Sequence, residues 1–466
     1  MPSADLAVCV DFGSTFTKAA LVDLTEGRIL AGASHRTTID TDVLDGYDAC
    51  LAELAPVDPR ARDAQVLACS SAGGGLRIAV VGNEELVTAE AGRRVALSSG
   101  GKVVAVIAHA GRSPRVPDDA PYRDLGHTAR PDVVLLTGGT DGGNSEVLLD
   151  AARALVASGW TGPVVVAGNV EAQDEVAAVL GDVPHVLADN VVPRIGVLAP
   201  ESARAAIRAM FLAHVIGGKH LSARADFVAM VRGATPDVVL TGVELLARGF
   251  DDAHPGTGDV VVVDIGGATT DVHSVVEVDP EDANLSREVV ATTPVTRTVE
   301  GDLGMRWSAV TTVEQADDAT PALAEAAARR QQDPSYLPDD DAGRDDDEAI
   351  ARAAVGLALR RHAGRSRVVM SPEGRVVERT GKDLREVDVL IGSGGVLRHG
   401  RPGVAERVLA GSTGADLDGG WQLPRAPRVV VDADYVLAAA GLLAEAHPEA
   451  AYRLVRRVLD DPGGIA

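Results

Sequence analysis

The sequence predicts an α/β protein built as two related halves, and three observations carry this. Strand-length apolar runs alternate with helical segments through residues 88–200 and again through 388–446, the signature of parallel sheet. Two segments repeat one pattern: Asp11-Phe12-Gly13-Ser14-Thr15-Phe16-Thr17-Lys18 and Asp264-Ile265-Gly266-Gly267-Ala268-Thr269-Thr270-Asp271 match at offsets 0, 2 and 6, and lie 253 residues apart. The length, 466 residues, suits two large domains or about three ordinary ones.

Taken in order, residues 7–11 read as a buried strand, followed by a Gly/Ser/Thr turn, a strand over 18–23, a Glu26-Gly27 turn and a strand over 28–33. A helix is expected over 45–54 and a strand over 65–69. Helices over 88–98, 145–158 and 171–180 then alternate with strands over 102–108, 132–136, 163–167 and 185–187, and a helix over 201–216 leads out. The turn-rich stretch 251–258 (DDAHPGTG) marks a boundary, giving a first domain 1–255 with an α/β insertion at about 100–200, and a second domain 256–466. The second domain opens with a strand over 259–264, a Gly/Thr turn and a strand over 271–278. Residues 333–348 are acidic and Pro-interrupted, and read as a flexible solvated loop, with a cation site as the lesser alternative. A strand over 388–391, a helix over 404–410, a strand over 428–431 and helices over 434–446 and 450–459 close the chain.

Composition excludes several function classes. With 44 Lys and Arg against 68 Asp and Glu, the net charge of −24 opposes general binding to nucleic acid or anionic membranes. Aromatics at 3% leave few stacking platforms for single strands. Three scattered cysteines, Cys9, Cys50 and Cys69, form no disulfide framework and point to a reducing compartment. The start lacks a signal-peptide pattern, and no apolar run is long enough to span a membrane, so the expected location is cytoplasmic. Only four of the 44 basic residues are Lys, so Lys18 stands out as a place where a compact ammonium is wanted.

The repeated segments carry the chemistry. A tight turn after a buried strand exposes backbone N–H groups, glycine lets an anion approach them, and hydroxyls add donors. An Asp at the strand end would repel phosphate alone, but is useful once Mg²⁺ lies between them, held through its waters. Asp11 and Asp264 occupy that position, Lys18 can neutralise a phosphate, and Asp271 can orient an attacking water. Either segment by itself is also what an ordinary strand ending in a turn looks like; it is the pair that argues for function. A third segment, Val387-Asp388-Val389-Leu390-Ile391-Gly392-Ser393-Gly394-Gly395-Val396, runs a buried strand into a glycine turn that can back a flat base or ribose, or serve as a plain βα turn. It is not a dinucleotide fingerprint, since Leu397 stands where the last glycine belongs, and no GxxxxGK[ST] exists.

These three segments, in this order, resemble the phosphate-1, phosphate-2 and adenosine motifs of the actin/Hsp70/sugar-kinase ATPase superfamily. Glu300-Gly301-Asp302-Leu303-Gly304 is similar to the segment after phosphate-2 in the Hsp70 branch. Five longer stretches, CSSAGGGLRIAVVG (69–82), LLTGGTDGGNSE (135–146), ADNVVPRIG (188–196), RTVEGDLGMRW (297–307) and VDADYVLAAAGLL (431–443), extend the resemblance over nearly the whole chain to the MutL/GlmL family. That family accompanies glutamate mutase and related adenosylcobalamin enzymes. The resemblance implies two actin-like (RNase H-like) domains around a nucleotide cleft, ATP and Mg²⁺ as cofactors, and mutase subunits as partners. It implies Mg²⁺ held through water by Asp11 and Asp264, and phosphates wrapped by Gly13, Ser14, Thr15, Lys18, Gly266, Gly267, Thr269 and Thr270. Asp271 would position water, Glu300 and Gly301 would lie at the nucleotide, and Gly392, Gly394 and Gly395 would support adenosine. The loop Gly138–Gly143 either lines the cleft or is a plain turn.

Other sites fit worse. Asp271-Val272-His273 begins like a corrinoid-binding DxHxxG, but Val276 replaces its glycine. No His cluster suits zinc and no Cys pair suits an iron–sulfur centre. Three functions remain: a slow, chaperone-like ATPase that reactivates a mutase; a small-molecule kinase, for which Asp141 is the one tempting base; and a filament protein, which the net charge disfavours.

Overall fold

The computed structural model describes residues 3–108, 120–277, 293–371, 374–414 and 420–460. They divide into two compact units. Apart from the turn Glu26–Arg28, which groups with the second, the break falls between Leu240 and Thr241, inside the helix Thr235–Arg248 and ahead of the 251–258 turn.

Among the described residues the first unit contains ten strands: β1 (Ser3–Phe12), β2 (Phe16–Asp23), β3 (Arg28–Arg36), β4 (Ala64–Ser70), β5 (Leu76–Gly82), β6 (Gly101–Ala108), β7 (Val133–Leu136), β8 (Val164–Val166), β9 (His185–Leu187) and β10 (Val231–Ala234). One sheet runs β10-β4-β1-β2-β3. β1 is antiparallel to β2 and parallel to β4, and β4 is parallel to β10. Consecutive β1 residues Leu6, Ala7, Val8, Cys9 and Val10 are all buried, which is what a strand covered on both faces requires. No disulfide joins the three cysteines, all of which are buried.

A second, wholly parallel sheet runs β6-β5-β7-β8-β9, the doubly wound order 2-1-3-4-5. It lies between the fourth and fifth strands of the first sheet. This is the expected α/β insertion, but it begins at Leu76 rather than near residue 100, because β5 already belongs to it. Sequence periodicity does not separate β5 from the meander, since both are short apolar runs.

The second unit opens with a small hairpin, β11 (Gly249–Asp251) and β12 (His254–Pro255). It continues with β13 (Val260–Ile265), β14 (Thr270–Val275), β15 (Val295–Glu300), β16 (Arg365–Ser371), β17 (Gly374–Thr380), β18 (Val389–Ser393) and β19 (Arg428–Val431). Val278, where the sequence predicts the end of a strand, lies outside the described residues. The main sheet runs β15-β14-β13-β18-β19. Counted from its own first strand, this is 3-2-1-4-5, the order of the first unit's meander sheet, with the same antiparallel first hairpin and parallel fourth and fifth strands. On one side it packs the helix Asp341–His362, whose Ile350, Ala354, Ala358 and neighbours meet Val261, Val263 and Val272.

That helix corrects the reading of 333–348 as a flexible loop: the chain is helical from Asp341. Asp340 caps it, accepting from the Gly343 N–H at 2.7 Å, and the acids fall at the end where the helix dipole favours negative charge. Arginines supply the remaining compensation. Fully buried Arg330 donates to Asp347 at 2.5 Å and to the Gly343 carbonyl, while Arg401 and Arg407 hold Glu348 at 2.9 and 2.6 Å. An acidic run looks solvated in a sequence because its partners come from distant positions.

Removing Arg330 leaves Asp347 under-compensated in a dry setting. Arg330→Ala is therefore expected to lower unfolding free energy by about 3 kcal/mol, read as a drop in urea midpoint at unchanged slope.

Candidate functional site: two matched strand-end hairpins

In the first hairpin Asp11 stands directly opposite Lys18, and in the second Asp264 stands opposite Asp271. Cross-strand partners share a face, so each pair projects to one side of its sheet. The turns close identically. Gly13 N–H donates to the Phe16 carbonyl at 3.1 Å, and Gly266 N–H donates to the Thr269 carbonyl at 2.9 Å. A Cβ on either glycine would sit 2.6 or 2.9 Å from that same carbonyl oxygen, so no larger residue fits without opening the turn. At the third matching offset, Thr17 and Thr270 are both fully buried.

Around the first turn, Ser14, Thr15 and Phe16 are exposed. Thr37 anchors the base, donating from its hydroxyl to the Gly13 carbonyl at 2.7 Å and from its N–H to the Thr15 carbonyl at 3.0 Å. Ser14 donates to the Ser71 carbonyl at 3.2 Å. Asp11 is fixed from below. Thr235, where the helix Thr235–Arg248 begins, donates to its Oδ1 at 2.6 Å, and the Cys69 thiol approaches the same oxygen at 3.6 Å. Burial, with the nearby Asp11 charge, pushes the Cys69 thiol well above its ordinary range, so it stays a neutral donor.

Around the second turn, Gly267 and Ala268 are exposed. Met305 and Arg306 donate their N–H groups to the Gly266 and Gly267 carbonyls at 3.0 and 2.8 Å, and the Ser308 hydroxyl donates to the Ala268 carbonyl at 2.7 Å. Asp271 is gripped by Arg297 on β15, which donates from Nε at 3.0 Å and from Nη2 at 2.5 Å, while Thr269 donates to its other oxygen at 3.3 Å. Arg297 is nearly inaccessible and offsets the like charges of Asp264 and Asp271. His273, directly opposite Arg297, is buried, and desolvation holds its pKa well below normal; it packs as a neutral ring. Glu300 and Asp302 share Arg361 at 2.5 and 2.7 Å. Burial raises the Glu300 pKa, whereas hydrogen bonding from Arg361 pulls Asp302 down to about 2.

Two expected contacts are not arranged as the sequence suggests. The Thr270 hydroxyl donates to the Leu303 carbonyl at 3.1 Å, so it braces the turn from inside the protein instead of facing a ligand. Gly392 is a packing glycine: a Cβ there would meet Leu397 at 2.4 Å and Leu409 at 2.8 Å. Gly394 (φ +109°) presses against β13, with a Cβ position only 2.3 Å from the Ile265 carbonyl, so it sets the strand end beside Asp264. Gly395 is exposed and opens onto free space.

Asp432, Arg398 and Tyr435, to which the sequence analysis gave no individual role, form a further cluster in this unit. Asp432 follows β19 and caps the next helix, accepting from the Val436 and Leu437 N–H groups at 2.7 and 3.2 Å. Burial raises its pKa to about 6. Tyr435 adopts the left-handed conformation (φ +56°), with the Arg398 guanidinium 3.7 Å from its ring centre, and Arg398 also donates to the Ala433 carbonyl. Strain of this kind persists only where surrounding contacts impose it. Asp432 and Tyr435 lie in the 431–443 stretch that carries the family resemblance, but Arg398 comes from a separate segment, so their contact is written in neither.

Among the described residues no three or more His, Cys, Asp or Glu cluster as a metal cage. The oxygen donors of Asp11 and Asp264 nevertheless suit Mg²⁺, which keeps most of its waters and needs one or two carboxylates beside phosphate oxygens.

Two sheets of order 3-2-1-4-5, each opening with an Asp-x-Gly hairpin, define the fold class shared by actin-like ATPases and sugar kinases. Within it the chain belongs to the MutL family: the family model described as MutL protein matches residues 7–459. Protein MutL of Clostridium tetanomorphum is 35% identical over 470 residues, covering 98% of this chain and 99% of that one. Solved structures align more distantly. A nucleotide-free acetone carboxylase matches at 15% identity (TM-score 0.38, 94% of this chain, 70% of that one). Gluconate kinase from Lactobacillus acidophilus matches at 12% identity (TM-score 0.32, 98% and 90%). No helix among the described residues is long and apolar enough to cross a membrane.

A raised carboxyl pKa means that the folded protein holds a proton the unfolded chain has lost between about pH 4 and pH 6. Stability attributable to Asp432 therefore rises as pH falls from 7 toward 4, by at most about 3 kcal/mol, and levels off below. Asp432→Asn mimics the neutral acid. Its stability advantage over wild type should be largest near pH 7 and vanish near pH 4 in urea titrations.

Proposed function

We propose that this protein is a Mg-ATP-binding, chaperone-like accessory ATPase that reactivates an adenosylcobalamin-dependent mutase, and that it makes no small-molecule product of its own. The observation that carries the nucleotide half is the duplicated hairpin, matched at its Asp, its turn glycine and its buried Thr. Membership of the MutL family supports the mutase half.

ATP with Mg²⁺, when bound, supplies a scissile phosphoanhydride whose charge needs donors and cations around it. Exposed turn N–H groups at 14–16 and 267–268 offer the donors, and Lys18 a compact positive charge. Asp11 is held in one orientation by Thr235, leaving its second oxygen to a metal-bound water. Asp264 serves likewise in its own hairpin. Asp271, fixed by Arg297, is a carboxylate in place to accept a hydrogen bond from an attacking water. Gly395 provides an open backbone surface for adenosine. The alternative, a small-molecule kinase, would use Asp141 as its base; that carboxylate is oriented through Oδ1, which accepts from Asn190 Nδ2 at 2.9 Å and from the Val170 N–H at 3.2 Å.

The test is nucleotide binding by calorimetry, followed by phosphate release with and without an inactivated cobalamin-dependent mutase. Wild type should bind ATP only with Mg²⁺, and the mutase should alter turnover. Asp11→Asn and Asp264→Asn should each weaken Mg-ATP binding by about tenfold or more, about 1.4 kcal/mol, with an unchanged urea midpoint. Unaltered binding in both variants would remove the metal assignment, and rapid phosphorylation of an added sugar or acid would replace the function.

A further inference from the structure

Trp307 is 61% exposed, whereas the other two tryptophans, Trp160 and Trp421, are half-buried. Single exposed apolar side chains are ordinary on a protein surface. What sets this one apart is its place against the second glycine turn. A Cβ on Gly267 would have as its nearest neighbours Arg306 Cβ and Cγ, both at 3.7 Å, and Trp307 Cδ1 at 3.9 Å. Cδ1 is bonded directly to Nε1, so the edge of the indole nearest the turn is the pyrrole edge, which carries the one hydrogen-bond donor of the ring. Among the described residues nothing accepts from that N–H. The backbone beneath the ring is fixed. Met305 and Arg306 donate their N–H groups to the Gly266 and Gly267 carbonyls, and the Ser308 hydroxyl donates to the carbonyls of Ala268 and Gly301 at 2.7 and 3.3 Å. The Arg306 guanidinium is engaged inside the protein, with Nη2 donating to Asp347 at 3.0 Å and Nη1 to the Met305 carbonyl at 2.8 Å. Within the bracket 305–308 the indole N–H is thus the uncommitted side-chain donor.

We propose that Trp307 is a contact residue for the phosphate chain held at the 266–268 turn: its Nε1–H donates to a phosphoryl oxygen, and its ring screens that oxygen from water. The proposal rests on the phosphate-binding reading of the turn and adds to it a side-chain donor from outside the hairpin. The exposed N–H groups of Gly267 and Ala268 form the floor under the anion. A donor carried on an apolar ring supplies one more hydrogen bond to a charged acceptor, and such bonds are the stronger kind. By excluding water on its own side, the ring also strengthens the neighbouring charge–dipole contacts. The same contact accounts for the open indole face, since a ligand on the turn covers part of it. Gly304 keeps the bracket close enough for this, because a Cβ on it would lie 2.7 Å from the Gly267 carbonyl.

The experiment compares the full-length wild type with Trp307→Phe, which keeps an aromatic ring and removes the N–H. Both are titrated calorimetrically with Mg-ATP and with Mg-tripolyphosphate, which has no base or sugar, and Trp emission is followed in parallel. Trp307→Phe should weaken both ligands by a similar factor, about tenfold, with an unchanged urea midpoint because the side chain is exposed. Either ligand should shift or quench the wild-type emission and leave that of Trp307→Phe nearly constant. Equal affinity of the two proteins for both ligands would overturn the contact while leaving the nucleotide reading intact. So would a ligand-induced change of emission that persists in Trp307→Phe at full size. A loss confined to Mg-ATP, or a wild type that takes Mg-ATP and ignores tripolyphosphate, would move the indole to the base or ribose and overturn the phosphate contact. A wild type that binds neither ligand would overturn the phosphate-binding reading of the turn, and the Trp307 contact with it.

Discussion

Both candidate-site hairpins depend on one small constraint, the closure of a glycine N–H onto the carbonyl three residues later, two residues past an Asp near the strand end. The closure turns the chain back on itself and leaves the intervening N–H groups facing solvent. It also fixes the Asp opposite a chosen residue of the returning strand. In the first unit that residue is Lys18; in the second it is Asp271. One geometry thus presents a cation in one place and an anion in the other.

The two hairpins are braced differently, and the bracing explains the difference in charge. Asp11 is steadied by neutral donors, the Thr235 hydroxyl and the Cys69 thiol, since Lys18 already shares its face. Asp264 and Asp271 place two negative charges on one face, and the answer is a buried arginine from the third strand. Arginine recurs in this role throughout the second unit: Arg330, Arg361, Arg401 and Arg407 each hold carboxylates in planar, multiply bonded contacts that lysine could not reproduce. The scarcity of lysine noted from composition is here a structural choice.

How much of this was legible depended on whether the signal was local. The hairpins, the strand at 389–393, the alternation that marks the parallel insertion and the family were all readable, because each is written in a contiguous stretch. The start of the insertion was misjudged, since the short apolar run over 76–82 was assigned no element. The 333–348 run was mistaken for a loop because its ordering depends on Arg330, Arg401 and Arg407, residues that only folding brings near. Thr270 and Gly392 looked like ligand contacts by position in a motif, yet one hydroxyl turns inward and the other residue is small to admit Leu397 and Leu409. Asp432 and Tyr435 sit in the 431–443 stretch that carried the resemblance, yet their contact with Arg398 joins two distant segments and is announced by neither.

The placement of the parallel insertion has a consequence of its own. The chain departs at the end of β4 and comes back as β10, whose Val231 pairs with Ala68 on that same strand. Exit and return are therefore adjacent, like the two ends of a cassette in its slot. Such a segment can be lengthened, recut or exchanged over generations while the register of the host sheet, and with it the Asp11 turn, stays as it was.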